Sequence, residues 1–286
     1  MKRILVRRYA SAISAAILVA LVLAASAEAS VYTARWGSVR ATLTDRSRTG
    51  GGLTVRIDRA GVVFVYGGLY RACGGFGGCP PVADPYGAPV VSVRPAAGRA
   101  EPDVFVHLSN GGNICCRSTF IYHYHPGSGG YTSSVHVWGD AADSGAPRSL
   151  GHNRQVFFVS EDGRFRYRFG CGACTPGPIQ IWRDVQGRLV DVTRSFRRLI
   201  WKDARRWRRL YFKERANTYG ADGVLVAYVA DEELLGHGGS VWRFVHQQGR
   251  AGYLTEPGSG FTRPENFYNR LHHFLSRLGY IGGRQA

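Results

Sequence analysis

From residue 35 to residue 66 the chain reads as strands. Val39, Ala41 and Leu43 are separated by polar residues, and Leu53, Val55 and Ile57 repeat the pattern. A period of two marks strands with one buried face. Arg59-Ala-Gly61 makes a turn into the apolar run Val62–Tyr66, and Val104–Leu108 is the next strand after a glycine- and proline-rich stretch. The sharpest hairpin joins Phe120–His125 to Tyr131–Trp138 through Pro126-Gly-Ser-Gly-Gly130. Two more pairs are expected: Gln155–Ser160 with Arg164–Phe169 about Glu161-Asp-Gly163, and Ile179–Trp182 with Arg188–Val192 about Gln186-Gly187.

The period then lengthens to 3.6. Phe196, Leu199, Ile200, Trp207, Leu210, Tyr211 and Glu214 fall on one helical stripe. A second helix spans Val224–Leu235 and stops at Gly236, and a third covers Ser240–Gln248. Thr262-Arg-Pro-Glu265 is a capping box with proline in the first turn, opening a last helix that continues to Gly279. Strands first and helices second give an α+β class: an antiparallel β-rich domain over 30–192 and a helical region over 193–286.

The first 29 residues stand apart. Lys2, Arg3, Arg7 and Arg8 precede an apolar run from Ala10 to about Ala25, and Ala27-Glu28-Ala29 has the small-x-small pattern of a signal-peptidase site. This is the layout of a secretory signal with Ser30 as the new N-terminus, and no later segment is apolar enough to span a bilayer. The expected location is therefore secreted or attached to the cell envelope.

Export changes how charge and cysteine are read. The chain carries a net charge of +17, of which about +14 remains beyond residue 29. Such a balance favours anionic partners. Six cysteines, at Cys73, Cys79, Cys115, Cys116, Cys171 and Cys174, are an even number suited to three disulfides. Fifteen pairings are open. Local pairs Cys73–Cys79 and Cys171–Cys174 are favoured, leaving Cys115 and Cys116 as a vicinal pair.

The stretch Val93-Arg-Pro-Ala-Ala-Gly-Arg-Ala-Glu-Pro-Asp-Val104 runs into an apolar strand and then Gly111-Gly-Asn-Ile-Cys-Cys116. With Tyr122 and Tyr124 of the hairpin it resembles the Asp-rich turn and strand of FG-GAP/VCBS-repeat secreted bacterial proteins. Its strongest part is Val93–Tyr131. Ser160-Glu-Asp-Gly-Arg-Phe165, Pro178-Ile-Gln-Ile-Trp182, Leu189-Val-Asp-Val-Thr193 and Val229–Gly236 extend the likeness in order. The resemblance implies propeller-blade-like hairpins. It also implies calcium in the turns, but Pro95, Ala97 and Arg99 stand where the family has aspartates, and Leu150–Gln155 has no carboxylate at all. Calcium needs six to eight oxygen ligands, so no cofactor is expected.

Other constellations carry weaker chemistry. Cys171-Gly-Ala-Cys174 has redox spacing, but Thr175-Pro-Gly-Pro178 forbids the helix that would activate a thiolate. His123 and His125 share a strand face and, with His136 of the partner strand, form a possible metal set without a nearby acid. Asp231-Glu232-Glu233 face different ways on a helix and are expected to meet the arginines of the preceding helix. No common hydrolase or phosphate-loop motif occurs.

The densest charge lies at Arg194–Arg215, with ten basic side chains against Asp203 and Glu214. Arg198, Lys202, Arg205, Arg209 and Lys213 lie off the apolar stripe and form a cationic face. These features lead to an expectation of an exported, disulfide-stabilised, non-enzymatic binding or structural module that contacts an anionic envelope polymer or a surface protein, without specific nucleic-acid binding. The alternatives are a cell-envelope hydrolase, which would need a deep cleft with facing carboxylates, and a metal-binding protein using the His123/His125 face.

Overall fold

A computed structural model describes residues 29–46, 52–69, 81, 89–95, 101–109, 117–139, 146–150, 156–170, 175–215, 221–254 and 264–282. Twelve strands form three four-stranded antiparallel sheets, each in chain order. Sheet A holds β1 (Ser30–Trp36), β2 (Val39–Asp45), β3 (Leu53–Arg59) and β4 (Val62–Tyr66). Sheet B holds β5 (Val91–Pro95), β6 (Pro102–Ser109), β7 (Arg117–His125) and β8 (Gly130–Gly139). Sheet C holds β9 (Ala146–Ser149), β10 (Val156–Glu161), β11 (Ile179–Val185) and β12 (Arg188–Asp191). Each sheet is an antiparallel meander, and with the helices following in the C-terminal part the chain has the expected α+β class. The tightest turns are set by backbone chemistry: Ala60-Gly61 and Gln186-Gly187 have positive φ at both central residues, which matches the twist of the strands they join.

The sheets stack face to face with B in the middle. Val39, Ala41, Leu43, Val55 and Ile57 of sheet A pack on Val104, Val106, Phe120 and Tyr122 of sheet B. The opposite face of B meets sheet C through Phe105, Ile121, Trp138, Phe158, Trp182 and Leu189. Every residue of β6 is buried as a result. The strand register assigns the faces: Val104 pairs with Tyr122 on the sheet A side, whereas Phe105 pairs with Ile121 on the sheet C side.

Four helices follow: α1 (Arg197–Glu214), α2 (Ala221–Leu234), α3 (Gly238–Arg250) and α4 (Pro264–Arg277). Ile200, Ala204, Trp207 and Tyr211 are the buried stripe of α1. The first eleven residues of α2 are all buried, so it is the central helix of this layer. Gly236 and Gly279 adopt φ of 83° and 80° just past α2 and α4, the left-handed stop that favours glycine. The helices pack on the far face of sheet C, where Phe157 meets Phe196 at a ring distance of 5.0 Å.

One expected strand is absent. Arg164–Phe169 is instead a 3-10 turn at Gly163–Phe165 followed by bends, and β10 pairs with β9 and β11. Asp162 holds the turn, since its Oδ1 accepts the Arg164 backbone N–H at 3.0 Å. The alternating Phe165 and Phe169 are buried in the helical core, not on a sheet. The helical core thus reaches back before residue 193.

Candidate functional site

The stretch resembling a calcium turn straddles a hairpin. Pro95 at the end of β5 pairs with Pro102 at the start of β6. Residues 96–100, including Ala97, Gly98 and Arg99, lie outside the described residues, as do 151–155 of the second loop. The two acids of the stretch are used inside the fold. Glu101 accepts from Arg59 at 2.8 Å, and Asp103 is buried against His123, whose Nδ1 lies 2.8 Å from Oδ1.

This contact corrects the reading of the histidine face. His123 and His125 do share a face, with ring centroids 4.7 Å apart, but acids lie beside them. Asp184 of β11 comes up from sheet C and faces Asp103 closely enough to share a proton. Burial, then the neighbouring Asp103 carboxyl, pushes the Asp184 carboxyl up to about 8. His136 is elsewhere. It pairs with Thr119, whereas His123 pairs with Thr132, four residues along the strand, or about 13 Å. His136 instead lies against Trp138 and Trp182 at 4.2 and 4.5 Å, and burial lowers its pKa to about 4. The three histidines do not converge, and among the described residues no three metal-type ligands are placed to hold an ion.

Asp231, Glu232 and Glu233 do not meet the arginines of α1. Asp231 is fully buried against Asp203 of α1, and burial with that like charge holds its carboxyl well above the ordinary range. Glu232 takes His237 Nδ1 at 2.7 Å and Glu233 takes Trp242 Nε1 at 2.6 Å. All three serve packing between helices.

A groove runs along the junction of sheets B and C with the helices. Its wider part, of about 620 Å³, is lined by His136, Trp138, Trp182, Gln180, Asp191 and Arg164, among others. A narrower part of about 370 Å³ shares Arg164, Gln180 and Asp191 and reaches Arg194 and Tyr280. Two aspartates, Asp162 and Asp191, belong to this lining. They are not a facing pair. Asp191 pairs across β11 with Trp182, which pairs with Phe158, and Asp162 lies four residues beyond Phe158, roughly 13 Å along the sheet. Asp162 is also spent: it is 1% exposed, ion-paired to Arg164 at 2.6 Å and accepts from Tyr280 Oη at 2.9 Å.

The cationic face of α1 forms as its periodicity dictates. Arg198, Lys202, Arg205, Arg209 and Lys213 are all exposed, opposite the buried stripe. Trp201 and Phe212 are exposed beside them, at 45% and 39%. Arg205 lies over the Trp201 ring at 4.7 Å and Arg208 over Phe212 at 5.3 Å. Among the described residues Arg198, Lys202, Arg205 and Arg209 form no ion pair, and Lys213 has only Glu214 at 3.9 Å. The aromatic members of this face were not anticipated. Their signal was present, because Trp201 and Phe212 fall off the Ile200/Trp207/Tyr211 stripe.

Residues 1–28 and all six cysteines lie outside the described residues, so the signal sequence and the disulfides remain expectations. No described helix is long and apolar enough to cross a membrane. Comparison with protein-family models, with curated proteins and with solved structures found no match.

Proposed function

We propose that this chain is an exported, disulfide-bonded, non-enzymatic binding module that contacts an anionic cell-envelope polymer through α1. The observation that carries this reading is the row of five exposed cations, with two exposed aromatic rings at its margin, on a helix whose other face is fixed in the core. Arg198, Lys202 and Arg209 have no counter-ion among the described residues to give up when they meet a phosphate or carboxylate. The guanidinium groups stacked on Trp201 and Phe212 are already partly ordered, which lowers the entropy lost on contact. The FG-GAP/VCBS-like stretch and the secretory layout of residues 1–29 support an extracellular role, and the arginine-rich composition suits a polyanion.

The test is binding of the chain from Ser30 onward to a poly(glycerol phosphate) polymer across a salt series. Affinity should fall steeply with salt, because each neutralised phosphate releases counterions. Changing Arg198, Lys202, Arg205, Arg209 and Lys213 together to glutamine should abolish binding and flatten the salt slope. The same change should alter folding stability by no more than about 0.5 kcal/mol per site, since all five are exposed. The control replaces five exposed arginines elsewhere, Arg35, Arg40, Arg188, Arg243 and Arg277. Equal loss in the control would reduce the effect to net charge and refute a specific role for α1.

A further inference from the structure

The groove between sheets B and C and the helices has properties that the cationic helix does not explain. One wall is aromatic: His136, Trp138 and Trp182 lie within 4.2 to 6.2 Å of one another, centroid to centroid. The indole N–H groups are already used. Trp138 Nε1 donates to Thr119 Oγ1 at 2.8 Å and Trp182 Nε1 to Ser160 Oγ at 3.3 Å. These bonds fix the rings: Trp138, only 6% exposed, backs the wall, and the half-buried Trp182 and His136 present the ring surface. Gln180 lies in the floor with 8% of its surface exposed. Its side-chain amide, with donors and an acceptor, has no hydrogen-bond partner among the described residues. Its nitrogen and oxygen are not sealed from the groove, so a ligand seated there can take their hydrogen bonds in place of water.

The remaining polar groups are mixed in sign. Asp191 is exposed, and its Oδ1 accepts from Thr193 at 2.5 Å, leaving Oδ2 toward solvent. Arg164 is neutralised by Asp162 yet keeps 53% of its side chain exposed. His136 has no hydrogen-bond partner among the described residues, so its ring nitrogens can donate and accept. The groove therefore offers flat aromatic surface, both donors and acceptors, and little net charge, in a volume within the range of small-molecule sites. Phosphate would call for a cluster of cations. A flat apolar ligand would leave Gln180 unsatisfied. A pyranose has the matching chemistry, with C–H faces for aromatic rings and hydroxyls that both donate and accept.

We infer that this groove is a glycan-binding site that seats a pyranose unit against Trp138, Trp182 and His136, with Gln180 and Asp191 bonding its hydroxyls. The narrower part, continuous past Gln180, gives room for a neighbouring sugar. This site is independent of the polyanion contact proposed for α1.

The test uses the chain from Ser30 onward, titrated with the methyl glycosides of glucose, galactose, mannose and N-acetylglucosamine and the corresponding β-linked disaccharides. The readout is the set of six tryptophan indole N–H signals in the NMR spectrum. At least one probe should give a saturable shift of the Trp138 and Trp182 signals, with Trp36, Trp201, Trp207 and Trp242 unmoved, and the affinity should not fall with salt. Gln180→Leu should weaken that binding about tenfold without lowering the melting temperature, because it removes an amide that has no protein partner. The five-glutamine variant of α1 should bind the sugar as well as the parent does. No saturable shift with any probe, or shifts confined to the other four tryptophans, would overturn the site. So would sugar binding that survives Gln180→Leu while stability drops, since Gln180 would then be a packing residue.

Discussion

Sheet B has two buried faces built from alternate residues of the same strands, and they are held by different means. Toward sheet A, Val104, Val106, Leu108, Phe120 and Tyr122 join an almost wholly apolar layer. A polar contact there is Tyr66 Oη donating to the Tyr131 carbonyl at 3.1 Å. Toward sheet C, Phe105 and Ile121 alternate along the same strands with Asp103, His107, Thr119 and His123, all of them buried. One layer is stabilised mainly by apolar volume. The other also carries buried polar groups, some hydrogen-bonded and some, such as Ser92 Oγ, without a partner among the described residues, and it opens at its margin into the groove. Equal burial thus does not mean equal chemistry, and the face that carries polar groups is the one that opens into the groove.

The largest expected effect tests the apolar layer. Leu43 has no exposed surface and sits in that cluster. Leu43→Ala should cost about 3 kcal/mol by lost burial and the cavity left behind. The loss, measured by urea unfolding, should be the same at pH 5 and pH 8.5. Tyr122 and Tyr131, buried in this layer, remain neutral there, because burial raises Tyr122 above its ordinary value and Tyr131 to about 12. A cost that changed with pH would mean that the two layers are not separate.

The next effect belongs to the polar layer. An unfolded aspartate titrates near 3.9, whereas Asp184 in the fold is pushed up to about 8 by burial and by Asp103. A raised folded pKa gives a contribution that is complete below the unfolded value and lost as pH rises through 8. The slope is at most about 1.4 kcal/mol per pH unit for one proton. Asp184→Asn keeps the shape of the protonated acid and cannot ionise. Its stability relative to the parent should therefore improve by roughly 2 kcal/mol between pH 6 and pH 8. Asp203 and Asp231 shift in the same direction but are common to both proteins. His107 and His136, lowered to about 4, lose their contributions as pH falls below about 6.5, and they too are common to both proteins. A constant difference between variant and parent would show that no proton is held between Asp103 and Asp184.

Much of the apolar layer was legible in the sequence, and little of the polar one. Val39, Ala41 and Leu43 declare their face by alternation, and Gly236 and Gly279 declare the ends of their helices. The stripe of α1 and its opposite cations follow from a period of 3.6. By contrast, strand residues of the polar layer look solvent-facing, because a polar side chain between apolar ones normally points to water. The partners that make burial tolerable are distant in sequence: Asp103 with His123, Asp184 from another sheet, and Tyr280 reaching Asp162 across 118 positions. Gln180 is hidden for the same reason, since Ile179 and Ile181 on either side mark the opposite face of β11. Phe165, Tyr167 and Phe169 alternate like a strand, yet Asp162 bends that segment and Tyr167 takes a φ of 59°.

The smallest effect distinguishes satisfied from unsatisfied groups within the polar layer. Thr119 Oγ1 lies 2.8 Å from Trp138 Nε1 and 2.9 Å from His107 Nδ1, so one hydroxyl serves two buried rings. Ser92 faces the same way, opposite Phe105 on β5, and its Oγ is buried without a partner among the described residues. Thr119→Val is nearly isosteric but leaves an indole N–H without an acceptor and an imidazole nitrogen without its partner. It should cost about 1–2 kcal/mol. Ser92→Ala removes a hydroxyl that bonds to nothing, and should change stability by less than about 0.5 kcal/mol, in the stabilising direction. Both are read from urea unfolding at pH 7, with indole N–H exchange of Trp138 as the local probe. Faster exchange in Thr119→Val alone is the expected pattern. Equal costs for the two variants would mean that this layer, like its neighbour, is held by volume and not by its hydrogen bonds.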